Sequence, residues 1–295
     1  MDHVKEQIHW EAAYEMGLTG KGAGVAVLDT GLFPHRDFED RIAGFADMVN
    51  HNPGPYDDCG HGTHICGIIG GSGVSSGGRY QGIAPGCTLT AVKVLDRRGN
   101  GSVTDVLAGI DWVLRHREQL GIRILNISVG SCTRKGMSEN SALVKGVDRA
   151  WDEGLVVVVA AGNRGPGRMT ITTPGISRKV ITVGCSDDDR EVLVGGNRMV
   201  DYSGRGPTAA CVCKPDVAPG CGVVSCASDF GRYTIKSGTS MSTPVVSGAI
   251  ALLLEKYPDM TNRDVKLKLM ESAMDIGLPK NQQGWGLLDI KRLLE

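Results

Sequence analysis

The 295-residue sequence predicts an α/β fold of three layers, a central and mostly parallel sheet with helices on both faces. Two observations carry that expectation. Short segments rich in Val, Ile and Leu are almost continuously apolar, as strands covered on both faces must be. Between them stand segments whose apolar residues recur at helical spacing, and strand–helix alternation is the pattern of an open parallel sheet. In chain order, segments 25–28, 89–95, 122–129, 155–161 and 180–185 are the expected strands. Residues 102–117 place Val103, Val106, Leu107, Ile110, Val113 and Leu114 on one stripe, with Ser102 and Asp105 as a helix-start signal. Residues 140–153 repeat the pattern through Leu143, Val144, Val147 and Trp151 and stop at Gly154. Residues 240–256 read as a strongly apolar helix that tolerates Pro244 in its first turns, and Thr261 with Asp264 opens a last helix. No internal repeat and no Pro- or Ser-rich linker interrupts the chain, so one domain is expected over residues 1–295.

Composition narrows the function. Hydrophobic residues at 41% and charged residues at 22% allow a sizeable core and exclude a disordered chain. Lys plus Arg (32) balances Asp plus Glu (33), which leaves no net field for nucleic acid or an anionic membrane. No apolar run reaches the roughly 18–20 residues of a membrane span. Residues 1–10 are polar and lack the apolar centre of a signal peptide, so neither a signal peptide nor a pro-domain is expected within the 295 residues. Nine Cys are scattered without a regular frame, which suits reduced, buried thiols in the cytoplasm better than a disulfide scaffold. The alternative is a secreted protein in its trimmed mature form.

Four segments carry chemistry. Asp29-Thr30-Gly31 ends an apolar strand. It could be half of an aspartic-protease dyad, which a second copy would have to complete, or a strand-end Asp capping a turn. Gly60-His61-Gly62-Thr63-His64 sets an imidazole among small neighbours, as a general base needs. Cys59, His61, His64 and Cys66 could instead ligate a metal, although eight residues would strain a tetrahedral arrangement. The loose cluster Cys211, Cys213, Cys221 and Cys226 does not follow a standard zinc spacing either. Ser240 opens a long helix, where a Ser serves as a cap or as a nucleophile aided by the helix N-terminus. Asn163 follows a buried strand, either as a turn residue or as an amide donor to an oxyanion.

Together these supply an acid, a base, a nucleophile and an oxyanion donor in the chain order Asp, His, Ser, one of the convergent triad orders. The motifs Val27-Leu28-Asp29-Thr30-Gly31, His61-Gly62-Thr63-His64-Ile65-Cys66-Gly67 and Gly238-Thr239-Ser240-Met241-Ser242-Thr243-Pro244 resemble the three active-site signatures of the subtilisin family. The likeness extends from about Gln7 to the C-terminus, and its wording is nearest the intracellular, AprX-like bacterial branch.

The resemblance implies a subtilisin-like fold and a serine endopeptidase acting through an acyl-enzyme on protein or peptide substrates. Ser240 would be the nucleophile, His61 rather than His64 the base, Asp29 its orienting acid, and Asn163 with the Ser240 N–H the oxyanion donors. An extended substrate would lie between Gly99-Asn100-Gly101 and Ser128-Val129-Gly130, which favours broad specificity. The primary pocket would be walled by residues 128–130, by Ala160, Ala161, Gly162 and Asn163, and by residues 172–175 with a cis Thr173–Pro174 bond; Thr239 also belongs to the substrate site. Arg164 at the rim would disfavour a basic P1 residue and leave large apolar ones preferred. Cys59 and Cys66 would make the enzyme sensitive to mercurials. A catalytically silent peptide-binding relative is the alternative, disfavoured because Asp29, His61, Ser240 and Asn163 are all kept. The chemistry implied needs no cofactor. Many members hold a structural calcium through a carboxylate soon after the first-signature Asp and an Asn-containing loop after the His helix. Asp37 matches the carboxylate, but residues 70–81 contain neither Asn nor Asp, so that site is disfavoured and no metal ligand is assigned.

Overall fold

A computed structural model describes residues 1–130, 139–187, 192–194 and 197–295. Two short helices, α1 (Asp2–Gln7) and α2 (Glu11–Glu15), precede strand β1 (Gly24–Asp29), every residue of which is buried. Strands β2 (Ile42–Asp47), β3 (Thr88–Lys93), β4 (Ile122–Ile127), β5 (Val156–Ala160) and β6 (Ile181–Val183) complete a six-stranded sheet in the order β2-β3-β1-β4-β5-β6. All five pairings are parallel, in register such as Gly24 with Thr88 and Asp29 with Lys93. The parallel sheet expected from the apolar runs is therefore present. The last four runs end as strands slightly before their last apolar residue, where the chain turns out of the sheet, whereas β1 extends one residue past its run to Asp29. Strand β2 was not anticipated: it is an edge strand, only partly buried, and lacks a continuous apolar run.

Helices α3 (His61–Gly70) and α6 (Thr239–Lys256) pack together, and α6 lies across β1, β4, β5 and β6. Helices α4 (Val103–His116) and α5 (Ala142–Asp152) form a second pair, packed against β1, β3 and β5. The caps follow the sequence. The Ser102 hydroxyl accepts from the Asp105 N–H at 3.0 Å, and Thr261 with Asp264 forms a full capping box on α7 (Asn262–Ser272). Helix α6 is apolar almost all round because it runs through the interior, with residues Met241 to Leu254 buried throughout. Two small antiparallel pairs, β7 (Val192–Val194) with β8 (Asn197–Met199) and β9 (Val223–Cys226) with β10 (Tyr233–Lys236), stand outside the main sheet. The short helices α8 (Lys280–Gln283) and α9 (Ile290–Leu294) close the chain.

The cysteine reading needs one correction. Cys185 and Cys221 are joined as a disulfide, whereas Cys59, Cys66, Cys87, Cys211, Cys213 and Cys226 are free. The pair is 36 residues apart in sequence and meets only because β6 ends beside the segment leading to β9, which spacing alone does not reveal. Among the described residues no helix is long and apolar enough to cross a membrane.

Candidate active site

The carboxyl ends of β1, β4 and β5 open on the same side of the sheet, where ligands of such folds bind. Asp29 is the last residue of β1 and is 1% exposed. Its Oδ1 accepts from the Thr30 N–H at 2.8 Å and lies 2.7 Å from His61 Nδ1. That contact places the ring proton on Nδ1 and leaves Nε2 as the base-capable nitrogen. Burial lowers the His61 pKa, but the charge and hydrogen bond of Asp29 outweigh it, and the imidazole is held above its ordinary 6.5. His64, one helical turn on, is fully buried with Nε2 at 3.1 Å from the Thr234 carbonyl. Burial and then the Lys236 charge push its pKa down to about 3, so it stays neutral. The two His therefore have separate partners. The groups of ligand atoms that do converge among the described residues include neither the Cys59, His61, His64, Cys66 set nor the Cys211, Cys213, Cys221, Cys226 set.

Helix α3 begins at His61 behind Gly60, whose φ of 82° a side chain would strain. Gly60 provides no capping side chain, so the first-turn N–H groups look elsewhere. Thr30 Oγ1 accepts from the Gly62 N–H at 2.9 Å and donates to Asp57 Oδ1 at 2.8 Å. Asp57 also takes the N–H groups of Cys59, Gly60 and Thr63, and the Thr63 hydroxyl at 2.6 Å. The buried Lys93 ammonium donates to the Thr30 and Leu95 carbonyls and to Asp58. Asp57 and Lys93 thus lock the Asp29 turn to the His61 turn. Sequence reasoning assigned neither a role. The available signal was an Asp shortly before a Gly-led helix carrying no Ser, Thr, Asp or Asn at its cap.

Ser240 occupies the first turn of α6, behind Gly238 (φ 133°). Pro244 has no N–H to give the Ser240 carbonyl four residues back, so that carbonyl is freed from the helix ladder. Ser128 uses it: the Ser128 hydroxyl donates to the Ser240 carbonyl at 3.3 Å, and the Ser240 hydroxyl donates to the Ser128 carbonyl at 3.0 Å. Among the described residues no hydrogen bond joins Ser240 to His61, so the hydroxyl must rotate away from Ser128 to meet the ring. Asn126 steadies this corner from β4, donating to Ser128 Oγ and accepting from Ser247 of α6. Asn163 Oδ1 accepts from both the N–H (3.1 Å) and hydroxyl (3.0 Å) of Thr239. Two donors on one atom identify it as the oxygen, which leaves the amide NH₂ for another acceptor.

Two cavities meet at Ser240. One of about 510 Å³ is lined by His61, Cys59, Lys236, Leu95, residues 98–103, Ile127 and residues 128–130. Its Gly99-Asn100-Gly101 wall is presented by a turn in which Asp96 Oδ1 accepts from the N–H groups of Arg98 and Asn100. The other, of about 280 Å³, is lined by Ser128, Gly130, Ala160, Gly162, Asn163, Arg164, Thr172 and Thr239. A Cβ on Gly162 or Gly130 would lie 2.4 or 2.5 Å from Thr172 Oγ1, so these walls admit only glycine. Of the expected substrate-site residues, all but Ala161, Thr173 and Gly175 line one cavity or the other; Ala161 is buried behind the smaller one, its carbonyl accepting from the Thr172 N–H. The Thr173–Pro174 bond is cis as expected.

Residues 20–286 match the sequence profile of the Subtilase family. This chain belongs to the subtilase family. It is 42% identical to the serine protease AprX of Bacillus subtilis (strain 168), an alignment covering 93% of this chain and 66% of that protein. It is 36% identical to subtilisin Savinase of Lederbergia lenta, covering 94% of this chain and 93% of that one. Among solved structures, Sphericase superposes with a TM-score of 0.78 at 29% identity, over 92% of each chain. A cold adapted subtilisin-like serine proteinase gives a TM-score of 0.74 at 28% identity, over 92% of this chain and 90% of that one. The subtilase is by class a serine endopeptidase, and the three-layer α/β fold is the family's.

The family's calcium site does not fit these residues. Asp37 is buried, and its two oxygens already accept from the N–H groups of Gly73 (3.0 Å) and Ser75 (3.2 Å) and from the Tyr233 hydroxyl. A cation needs acceptors, and the 70–81 loop turns donors toward the carboxylate instead.

Proposed function

We propose that this subtilase hydrolyses peptide bonds through an Asp29–His61–Ser240 triad and an acyl-enzyme intermediate. The carrying observation is the 2.7 Å contact between Asp29 and His61 Nδ1 at the mouth of the cavity that Ser240 lines. His61 Nε2 takes the proton as Ser240 Oγ attacks the scissile carbonyl, and Asp29 stabilises the imidazolium that results. The oxyanion then lies between the Asn163 NH₂ and the Ser240 N–H, a first-turn donor without a helical acceptor. His61 returns the proton to the departing amine, and water repeats the sequence on the acyl-enzyme. Substrate backbone pairs as an added strand with residues 99–101 and 128–130. The 280 Å³ cavity takes the P1 side chain, and Arg164 on its lining disfavours Lys or Arg there. Large apolar P1 residues are the expected preference within a broad specificity.

No cofactor enters the chemistry, and the donors around Asp37 support a fold that needs no calcium at that carboxylate. The buried free thiols Cys66, Cys87 and Cys226 support a cytoplasmic setting. The Cys185–Cys221 bond favours the secreted alternative, and alkylation of protein taken directly from cells would decide between them. A fluorophosphonate adduct on intact protein, stoichiometric in wild type and lost in Ser240→Ala, tests the chemistry. Correctly folded protein that gives no adduct would return the silent peptide-binding reading to the front.

A further inference from the structure

The groove is charged in one sense only. Among the described residues two cations, Arg98 and Lys236, line the 510 Å³ cavity, and no Asp or Glu does. The chain as a whole carries a formal charge of −1, so this is a local feature. Lys236 is the more telling of the two. It ends β10, where pairing with Val223 of β9 fixes its backbone, and it is half-buried. It forms none of the ion pairs found among the described residues. Its charge nevertheless reaches the site, opposing the rise that Asp29 imposes on the His61 pKa and adding to the lowering of the His64 pKa by burial.

The position of Lys236 beside Cys59 and His61 bears on which side of the scissile bond it faces. The cavity beside Asn163 and Thr172, which the acyl side uses, touches Ser240 but neither His61 nor Lys236. The larger one holds the strand-pairing segments 99–101 and 128–130 and also takes in His61, Cys59 and Lys236. His61 delivers its proton to the leaving amine, so the residues following the bond lie on the Lys236 side. Resting on the chemistry proposed above, we infer that Lys236 is a specificity-determining residue, selecting peptides that carry a carboxylate at the first or second position after the cleaved bond. A half-buried lysine on a cavity lining that holds no Asp or Glu among the described residues gives such a carboxylate a partner and repels a cation there.

The test uses quenched peptides identical up to the scissile bond, with Glu, Gln or Lys at each of the two following positions. Turnover is normalised to sites titrated with a fluorophosphonate. Wild type should favour Glu over Lys in kcat/KM by about tenfold, mostly through KM and less so as salt rises. Lys236→Gln should bring the ratio close to unity, Lys236→Glu should invert it, and Lys236→Arg should keep it. The same Glu-to-Lys ratio in wild type and in titratable Lys236→Gln would overturn the inference. An enzyme that fails to label at all would overturn the underlying chemistry instead.

Discussion

Asp57 offers the sharpest test of how this site is assembled. Five donors converge on its two oxygens, three of them backbone N–H groups of the segment that starts the His61 helix. Asp57→Asn keeps the shape and replaces one acceptor oxygen by a donor. Whichever way the amide turns, it faces either the two donors of Thr63 or the three from Thr30, Cys59 and Gly60. A buried donor left without an acceptor costs about 1–3 kcal/mol. With some relaxation, a destabilisation of about 3–5 kcal/mol is expected, a large part of the roughly 5–15 kcal/mol that holds a domain folded. The loss also has a pH signature. Burial alone would raise the Asp57 pKa, but the hydrogen bonds from Thr63, Gly60 and Thr30 outweigh it and hold the carboxyl below its ordinary range. A carboxyl depressed in the folded state contributes fully above its unfolded pKa, about 3.9, and loses that contribution as pH falls through the folded value. The gap between wild type and Asp57→Asn should therefore be widest near neutrality and begin to narrow below about pH 4. Urea unfolding in a Ser240→Ala background, free of self-digestion, measures it at pH 7 and pH 3. A gap unchanged between those two pH values, or one under about 1 kcal/mol at pH 7, would refute the account.

Further predictions follow from the same geometry. Asn163→Ala should lower kcat by about 10²–10³ with little change in KM, the known magnitude for one oxyanion donor in enzymes of this kind. Because the Asp29 interaction outweighs burial at His61, the acid limb of kcat/KM should have its midpoint above 6.5. A midpoint below that value would mean the pairing is not the dominant influence on the ring. Chelation should leave the thermal midpoint unchanged, whereas Asp37→Ala should lower it whether or not calcium is present; a drop on adding EDTA would argue that a cation displaces the loop donors. Bulky mercurials should inactivate through Cys59, which lines the groove beside His61, and not through the buried Cys66. Inactivation that survives Cys59→Ala would send the search to another thiol.

How much of this was legible beforehand depended on how local each signal is. Asp29, His61, Ser240 and Asn163 stood out as candidates because each sits in a short contiguous motif at the end of an apolar strand or the start of a helix. The buried strands announced themselves by unbroken apolar runs, and α4 and α7 by their caps. Edge strand β2 and the β9–β10 pair did not, because partial burial leaves no clean period to read. Asp57, Lys93 and Lys236 were silent for a related reason. A charged residue is ordinarily a solvated one, and only the closing of the β1, β3 and α3 turns on one another converts Lys93 into a buried tie. The Cys185–Cys221 bond likewise joins segments that share nothing until β6 and the strand β9 approach are in place.

The strand order has a consequence in time. The central strand β1 is flanked by β3 and β4, both made after it, and each parallel pairing waits for a crossover to return the chain. Helix α6, which spans β1, β4, β5 and β6, can dock only once that surface exists. During synthesis the groove-forming segments therefore emerge well before Ser240, and the partly made polypeptide is itself an extended substrate. On the chemistry proposed above, the attacking hydroxyl arrives with α6, so cleavage is expected only after that helix has docked. A Cβ at Gly248 would lie 2.6 Å from Ile83 Cβ, so crowding that contact should hinder the docking of α6 and weaken the finished protein as well.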